Sequence, residues 1–406
     1  MKIKTKFFSD VPINIIIIPV LLIFLLQAFM SMFYNNNNLT FYSIHSFHSL
    51  AKAEALSSSN FTNFDSNIPG LKEINGFLYP VIISIFIKIV GKYNIIPVLY
   101  IISFFVFLLV SIIFYKISNH FLSEKHSIWA TIIFIISAPV FLSFYSGADI
   151  ILVNLLFVLN VYFIYFYLPA KKYKFPIIIS VLLLFTTWTG IIYGICCLIY
   201  IILSINEKKL KEDYEKNISV FLLLFSLLIV FLCGFVFIEN LSPSFFEQND
   251  LLNNTTFFVS AFFKDGFLWS KLTPPFFGIL FFVSLFCRFN TEFKEKKISF
   301  ITFVLIITIA SFFIEFFAIF SNKTDTLLFI SPFFFLLILF GIDGLFYFAD
   351  LIQVRNSFFS KNNLILGLIL FVILYNIVLS FTLTIEKNND IRQQHGNMYV
   401  EKFFEK

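Results

Sequence analysis

The chain has 406 residues, of which 59% are hydrophobic and only 13% are charged, and its formal net charge is +5. Soluble globular domains hold roughly a quarter charged residues, so this composition excludes a typical soluble domain. Several apolar runs have about the 20 residues that a helix needs to cross a bilayer core of about 30 Å. These features predict an all-α polytopic membrane protein.

Hydropathy predicts the membrane spans in chain order. The first span, 12–33, lacks a small-residue cleavage site, and we interpret it as retained rather than as a signal peptide. The remaining spans are expected at 94–115, 128–145, 149–168, 175–205, 218–238, 274–287, 298–320, 326–348 and 364–384.

The run 175–205 is too long for one crossing and is interrupted at Thr186–Gly190. We interpret it as two short helices that meet at one face, which gives about 11 transmembrane helices. With the N-terminus in the cytoplasm, this count places most of the 29 Lys and Arg on the cytoplasmic side, as the positive-inside rule requires. The C-terminus is then extracytoplasmic.

Two long extracytoplasmic loops, 34–93 and 239–273, are expected to carry interfacial helices. The apolar segment 77–91 belongs to the first loop, because counting it as a span would move the later basic loops outside. Residues 1–384 are expected to form a single transmembrane domain, followed by a short extracytoplasmic tail, 385–406. In a bacterium, such an integral membrane protein would lie in the cytoplasmic (inner) membrane.

The order of these features resembles the GT-C membrane glycosyltransferases, in the branch of protein O-mannosyltransferases and lipid A aminoarabinose transferases. A first span precedes a long loop with NNNNLTFYSIHSFHSLAKAEAL from Asn35, and then a helix with Leu78-Tyr79-Pro80. A short turn, SFYSGAD, ends at Asp149, and the threonine-rich break and a span opening TDTLLFISPFFFLL follow. The resemblance implies a transferase that takes a sugar from a polyprenyl-phosphate donor at the outer face of the membrane.

The resemblance also implies an acid in the first loop that acts as general base or orients the acceptor. Matching Tyr42 to the family's pattern places Asn38 at that position. An amide cannot accept a proton at neutral pH, so Asn38 is not a base. Either Glu54, Asp65 or Glu73 replaces the acid, or the alignment slips, or the protein is a degenerate member.

Two further positions are implied as substrate-binding. The family often carries a basic residue before the proline-containing span, and Lys323 is the nearest candidate here. Its ammonium group would pair with the donor phosphate, although a lysine at a span end also snorkels to the interface. Trp188, or Thr189 beside it, stands at the break where the family often has Lys or Arg.

Asp149 is the strongest candidate on the residues alone. A carboxylate at the outer end of a span suits orienting an acceptor or coordinating a divalent cation bound to phosphate. An Asp before an apolar run is equally a common helix N-cap. The sequence predicts no metal site built from protein ligands, and a divalent cation is the one cofactor considered.

Other polar residues have both functional and structural interpretations. His45 and His48 share a helix face and would bind phosphate, or simply belong to a solvated helix. Glu315 lies within a span and should face the protein interior or a water-filled cavity. Asn154 and Asn160 are expected to make hydrogen bonds between helices. Asp343, near the inner end of its span, is interpreted as structural.

Three functions stay open. The first is a glycosyltransferase whose partners are a polyprenyl-phosphate-linked sugar, a lipid, glycan or protein acceptor, and membrane lipids. The second is a catalytically silent relative that binds or scaffolds. The third is a transporter or flippase, but the span centres are almost free of charge and only one helix break is clear. No nucleotide-binding motif is present, and no nucleic-acid partner is expected.

Overall fold

The structure is a computed structural model, and it describes residues 11–34, 44–57, 78–146, 149–205, 225, 275–295, 299–320, 326–355 and 361–394. These residues are almost entirely helical, and no strand occurs among them. The α-helices are α1 (Ile13–Tyr34), α2 (Ile44–Ser57), α3 (Leu78–Val90), α4 (Ile95–Phe121), α5 (Glu124–Ile136), α6 (Ala138–Tyr145), α7 (Ile150–Tyr167), α8 (Lys174–Leu184), α9 (Trp188–Ile205), α10 (Pro275–Glu295), α11 (Phe300–Phe320), α12 (Thr326–Arg355) and α13 (Lys361–Gln394).

Five helical segments in the described residues are long and apolar enough to cross a membrane, and a bent pair brings the number to six. This is compatible with an integral membrane protein. Many large apolar side chains on α1, α8 and α13 are exposed, as lipid-facing residues would be. The five segments are Lys92–Phe121, Ile150–Tyr167, Trp188–Ile205, Ser331–Leu351 and Ile365–Leu383.

The predicted span 128–145 is not one straight helix. It consists of α5 and α6, which are bent by 54° at Ser137. The cause is Pro139 in the first turn of α6, because proline has no N–H to donate and its ring clashes with the carbonyl four residues earlier. The sequence analysis overlooked this proline as a helix breaker.

The predicted break within 175–205 is present, and the chain reverses there. Helix α8 ends at Leu184 and α9 begins at Trp188. A side chain at Gly194 would press against the carbonyl oxygen of Ser180 and the side chain of Leu183. Residues this far apart in sequence approach each other only if α8 and α9 lie side by side and antiparallel.

Helix directions follow from contacts at two levels of the bundle. Phe114 contacts Phe335 with ring centroids 5.0 Å apart, and Phe121 contacts Phe340 at 5.1 Å, so α4 and α12 run parallel. Their N-terminal ends therefore lie at the same end of the bundle. This agrees with the alternation that the predicted spans require.

Helices α10 and α12 pack closely because α12 contributes two glycines to the contact. Phe277 lies against Gly341, and the carbonyl group of Leu280 lies against Gly344. A Cβ atom at Gly344 would overlap that carbonyl oxygen. Since Phe277 and Leu280 meet successive turns of α12 in the same order, α10 and α12 also run parallel.

Several helices extend past their predicted boundaries. Helix α4 continues to Phe121, α12 continues to Arg355, and α13 continues to Gln394, into the segment predicted as a tail. The added residues mix polar and apolar side chains and contain no proline or glycine, so nothing in the local sequence ends the helix where the continuous apolar run stops. Apart from Phe225, the predicted span 218–238 lies outside the described residues, and so does the whole loop 239–273.

Candidate functional site

Helices α7 and α9 begin at the same end of the bundle. Phe157 contacts Tyr193 with ring centroids 5.1 Å apart, and Asn160 lies close to Cys197 one turn further along. The two helices are therefore parallel. Asp149 lies about two turns before Phe157, and α9 begins at Trp188, between one and two turns before Tyr193, so Asp149 lies at the end of the bundle where α9 begins.

The start of α3 lies at the same end. The backbone N–H of Leu78 donates to the carbonyl oxygen of Phe185 at 3.1 Å. This hydrogen bond ties the first turn of α3 to the break between α8 and α9. Three segments distant in sequence therefore meet there, and we call this region the Asp149 end.

Asp149 does not act as a helix cap. Its backbone has helical dihedral angles, φ −57° and ψ −19°, and its side chain makes no capping hydrogen bond to α7. Its carbonyl oxygen accepts from the N–H of Leu152 at 3.0 Å, so the backbone already belongs to the helical turn. The side chain is 6% exposed. The interpretation of Asp149 as a side-chain cap of α7 is therefore wrong.

Tyr79, on the first turn of α3, lies within electrostatic range of that carboxylate. Its side chain is buried, and burial followed by the negative charge of Asp149 raises the pKa of the Tyr79 hydroxyl well above its ordinary value. The phenol is therefore protonated throughout the physiological pH range. A neutral O–H group and a carboxylate thus share this end of the bundle.

The threonine-rich break supplies further hydroxyl groups, and all of its threonines are buried. Thr186 donates to the carbonyl oxygen of Leu183 at 2.6 Å, which satisfies the C-terminal end of α8. Thr187 caps α9, because its hydroxyl accepts from the N–H of Gly190 at 3.3 Å and also contacts the Thr189 hydroxyl at 2.8 Å. Because these hydroxyl groups bond to backbone groups at the helix ends, the chain can break inside an apolar bundle.

Glu315 belongs to the same end. The Tyr193 and Ser311 hydroxyls lie 3.0 Å apart, and the rings of Tyr200 and Phe303 lie 5.2 Å apart, so α9 and α11 are antiparallel. One turn further toward the Asp149 end, Glu315 lies level with the start of α9. It is 2% exposed, so it faces the protein interior as predicted.

Trp188 is the first residue of α9 and is also buried, with 7% of its surface exposed. It therefore lies at the Asp149 end, within one turn of the level of Glu315. Asp149, Trp188 and Glu315, three separate candidates of the sequence analysis, therefore lie at the same end of the bundle, as do Tyr79 and the threonines.

Glu54 is held elsewhere. Its Oε1 atom lies 2.7 Å from Nζ of Lys92, which follows the C-terminal end of α3. Helix α3 has 13 residues and rises about 20 Å, and Tyr79 lies at its opposite end. The structure therefore does not bring Glu54 to Asp149, and Glu54 does not replace the missing base in this arrangement.

His45 and His48 lie in α2, which confirms the predicted helix, and their side chains lie outside the described part. The other candidates of the sequence analysis lie entirely outside the described residues. These are Asn38, Tyr42, Asp65, Glu73 and Lys323.

The predicted hydrogen bonds of the buried asparagines are present. Asn154 donates to the Ser143 hydroxyl at 2.8 Å and accepts from the Ser331 hydroxyl at 3.0 Å, which joins α6, α7 and α12. Asn160 donates to the Ser180 hydroxyl at 2.7 Å. These bonds fix the helices that carry the site.

Sequence reasoning missed Tyr79. The signal was present, because Tyr79 lies in the Leu-Tyr-Pro sequence that contributed to the resemblance. Within the described residues, no group of three His, Cys, Asp or Glu side chains gathers as a metal site.

No family model, curated protein or solved structure matches the chain. The resemblance to GT-C glycosyltransferases therefore stays a prediction.

Proposed function

We propose that the protein is a membrane glycosyltransferase, which moves a sugar from a polyprenyl-phosphate donor to an acceptor at the outer face of the membrane. The observation that carries this proposal is the buried, non-capping carboxylate of Asp149 beside Tyr79 and the threonine-rich break. Burying a carboxylate costs free energy, and buried ionisable groups are common at functional sites, while hydroxyl groups at the same end of the bundle suit a sugar substrate.

The proposed topology has about 11 spans, with the N-terminus in the cytoplasm. The Asp149 end then faces the extracytoplasmic side. In support, the opposite end of the bundle carries the basic turn between α7 and α8, with Lys171, Lys172 and Lys174, as well as Arg288 near the end of α10. This distribution is the one that the positive-inside rule favours.

In the proposed reaction, an acceptor hydroxyl attacks the anomeric carbon of the donor sugar. The bond from that carbon to the phosphate oxygen breaks, and polyprenyl phosphate leaves with the bonding electrons. Asp149 takes the acceptor proton as general base. Lys323, three residues before α12, is proposed to neutralise the donor phosphate, with the polyprenyl tail between apolar spans.

A second candidate is a catalytically silent member that binds lipid-linked sugar without transfer. Asn38, at the position where the resemblance places an acid, favours it. The two candidates differ in whether any carboxylate at the Asp149 end takes a proton from an acceptor.

The test is transfer from a panel of labelled polyprenyl-phosphate sugars in membranes that contain the wild-type protein. Asp149→Asn should lower transfer by about 100-fold or more, the usual contribution of a general base. Glu124→Gln is the matched control, because Glu124 is exposed at the start of α5. Transfer by the Asn38→Asp variant is measured in the same experiment.

Unchanged transfer in Asp149→Asn would exclude Asp149 as the base. Transfer that appears only in Asn38→Asp would favour the silent member. Donor binding without transfer by any variant would also favour that candidate, and absence of both binding and transfer would contradict the glycosyltransferase proposal.

A further inference from the structure

Tyr79 is fixed rigidly at the Asp149 end. It belongs to the buried stripe of α3 with Ile83 and Ile87, one turn apart from each other. The adjacent Pro80 is also buried and removes one backbone N–H at the start of the helix, where it has no helical partner in any case. The hydrogen bond from Leu78 to Phe185 then holds this turn against the α8–α9 break.

Two independent observations bring Tyr79 and Asp149 together. The register of α7 and α9 places Asp149 at the end of the bundle where α9 begins, and the Leu78 hydrogen bond to Phe185 places the start of α3 at the break just before α9. The carboxylate of Asp149 also acts on the phenol electrostatically. Tyr79 comes from the predicted extracytoplasmic loop, whereas Asp149 comes from the helical bundle, so the pair joins two parts of the fold.

We propose that Tyr79 is a positioning residue, whose hydroxyl holds the Asp149 carboxylate in the orientation needed to receive the acceptor proton. This role rests on the proposed glycosyl transfer. A protonated phenol donates one hydrogen bond, and an ionised carboxylate accepts several, so one oxygen of Asp149 can be fixed while the other takes the proton. Helix α3 thereby completes the site.

The first measurement needs no substrate. Tyr79→Phe, Asp149→Asn and the double variant are purified in detergent, and their thermal unfolding midpoints are compared as a double-mutant cycle. Coupled side chains predict that the double variant loses less than the two single losses together. Tyr93→Phe is the control, because Tyr93 is 72% exposed beyond the far end of α3 and should be additive with Asp149→Asn.

The second measurement is transfer by Tyr79→Phe in the same membranes. Loss of a hydrogen bond to a charged group predicts roughly a tenfold lower kcat. The KM for the donor should stay at the wild-type value, because the phenol is not proposed to contact the donor. A protein that merely lost packing at Tyr79 would not show this separation of kcat from KM.

Additivity in the cycle would overturn the pairing of Tyr79 with Asp149, whether or not the wild type transfers sugar. Coupling with an unchanged kcat would overturn the positioning role. Absence of transfer by the wild type across the whole panel would instead overturn the proposed reaction, and the positioning role would fall with it.

Discussion

The buried carboxylates at the two ends of the bundle have different neighbours. At the end opposite Asp149, which we call the Arg288 end, Asp343 accepts from Nε and Nη2 of Arg288, both at 2.8 Å, and from the Ser284 hydroxyl at 2.5 Å. The guanidinium group also lies 3.8 Å from the centre of the Phe121 ring. Both oxygens of this carboxylate are engaged by a cation. At the Asp149 end lie the phenol of Tyr79, the threonine hydroxyls and a second buried carboxylate, Glu315.

This difference matches a structural role for Asp343 and the catalytic role proposed for Asp149. A fork-shaped pair between Arg288 and Asp343 fixes α10 against α12 and engages both oxygen atoms of Asp343. Asp149 instead shares its end of the bundle with the phenol of Tyr79 and the buried threonines of the α8–α9 break. The sequence alone shows two acids near span ends, and the structure distinguishes them by their neighbours.

The largest expected effect is at the Arg288 end. Asp343→Ala should lower the free energy of unfolding by about 3 kcal/mol, because it leaves the largely buried guanidinium group of Arg288 without its carboxylate partner. The measurement is unfolding in mixed micelles. The double variant Arg288→Met with Asp343→Leu should be more stable than Asp343→Ala, and a double variant that is less stable would contradict a simple ion-pair role.

A glycine pair gives the next largest effect. Gly344→Ala should destabilise the protein by about 1–3 kcal/mol, because the new Cβ atom would overlap the Leu280 carbonyl oxygen and push α10 away. Gly367→Ala in α13 is the control, since nothing lies within 4 Å of its Cβ position. Helix propensity alone should make that control neutral or slightly more stable. An equal loss of unfolding free energy in Gly344→Ala and Gly367→Ala would contradict the view that the close contact of α10 with α12 causes the destabilisation.

The smallest effect is expected at the ion pair between Glu54 and Lys92. Glu54→Gln should lower the free energy of unfolding by at most about 1 kcal/mol, because the pair with Lys92 is partly exposed and screened by salt. The loss is measured at low and high ionic strength and should shrink as salt rises. Transfer should be retained. A loss of transfer as large as that of Asp149→Asn would instead restore Glu54 as the base of the first loop.

Hydropathy predicted those features that depend on local composition. The threonine-rich break interrupts an apolar run that is too long for one crossing, so the reversal between α8 and α9 was visible in the sequence. The buried amides of Asn154 and Asn160 needed partners in an apolar setting, and both have them.

Partner identity was not visible, because it depends on helix register rather than on hydropathy. Arg288 lies at the end of a predicted span, and nothing local indicates that it reaches Asp343 in another helix. Tyr79 and Asp149 are also far apart in sequence. Their proximity follows only from the path of α3 across the α8–α9 break. The residue identities predict which groups need partners, and the fold decides which partners they find.

The shortness of α8 has a consequence for the lipid around the protein. Its 11 residues rise about 16 Å, roughly half the thickness of a bilayer core, and its outward face is apolar. On the side of α13, an apolar segment of 19 residues reaches almost the full thickness. The hydrophobic thickness of the protein surface therefore differs between the α8 side and the α13 side. The bilayer must thin beside α8, so the protein should favour membranes with shorter acyl chains.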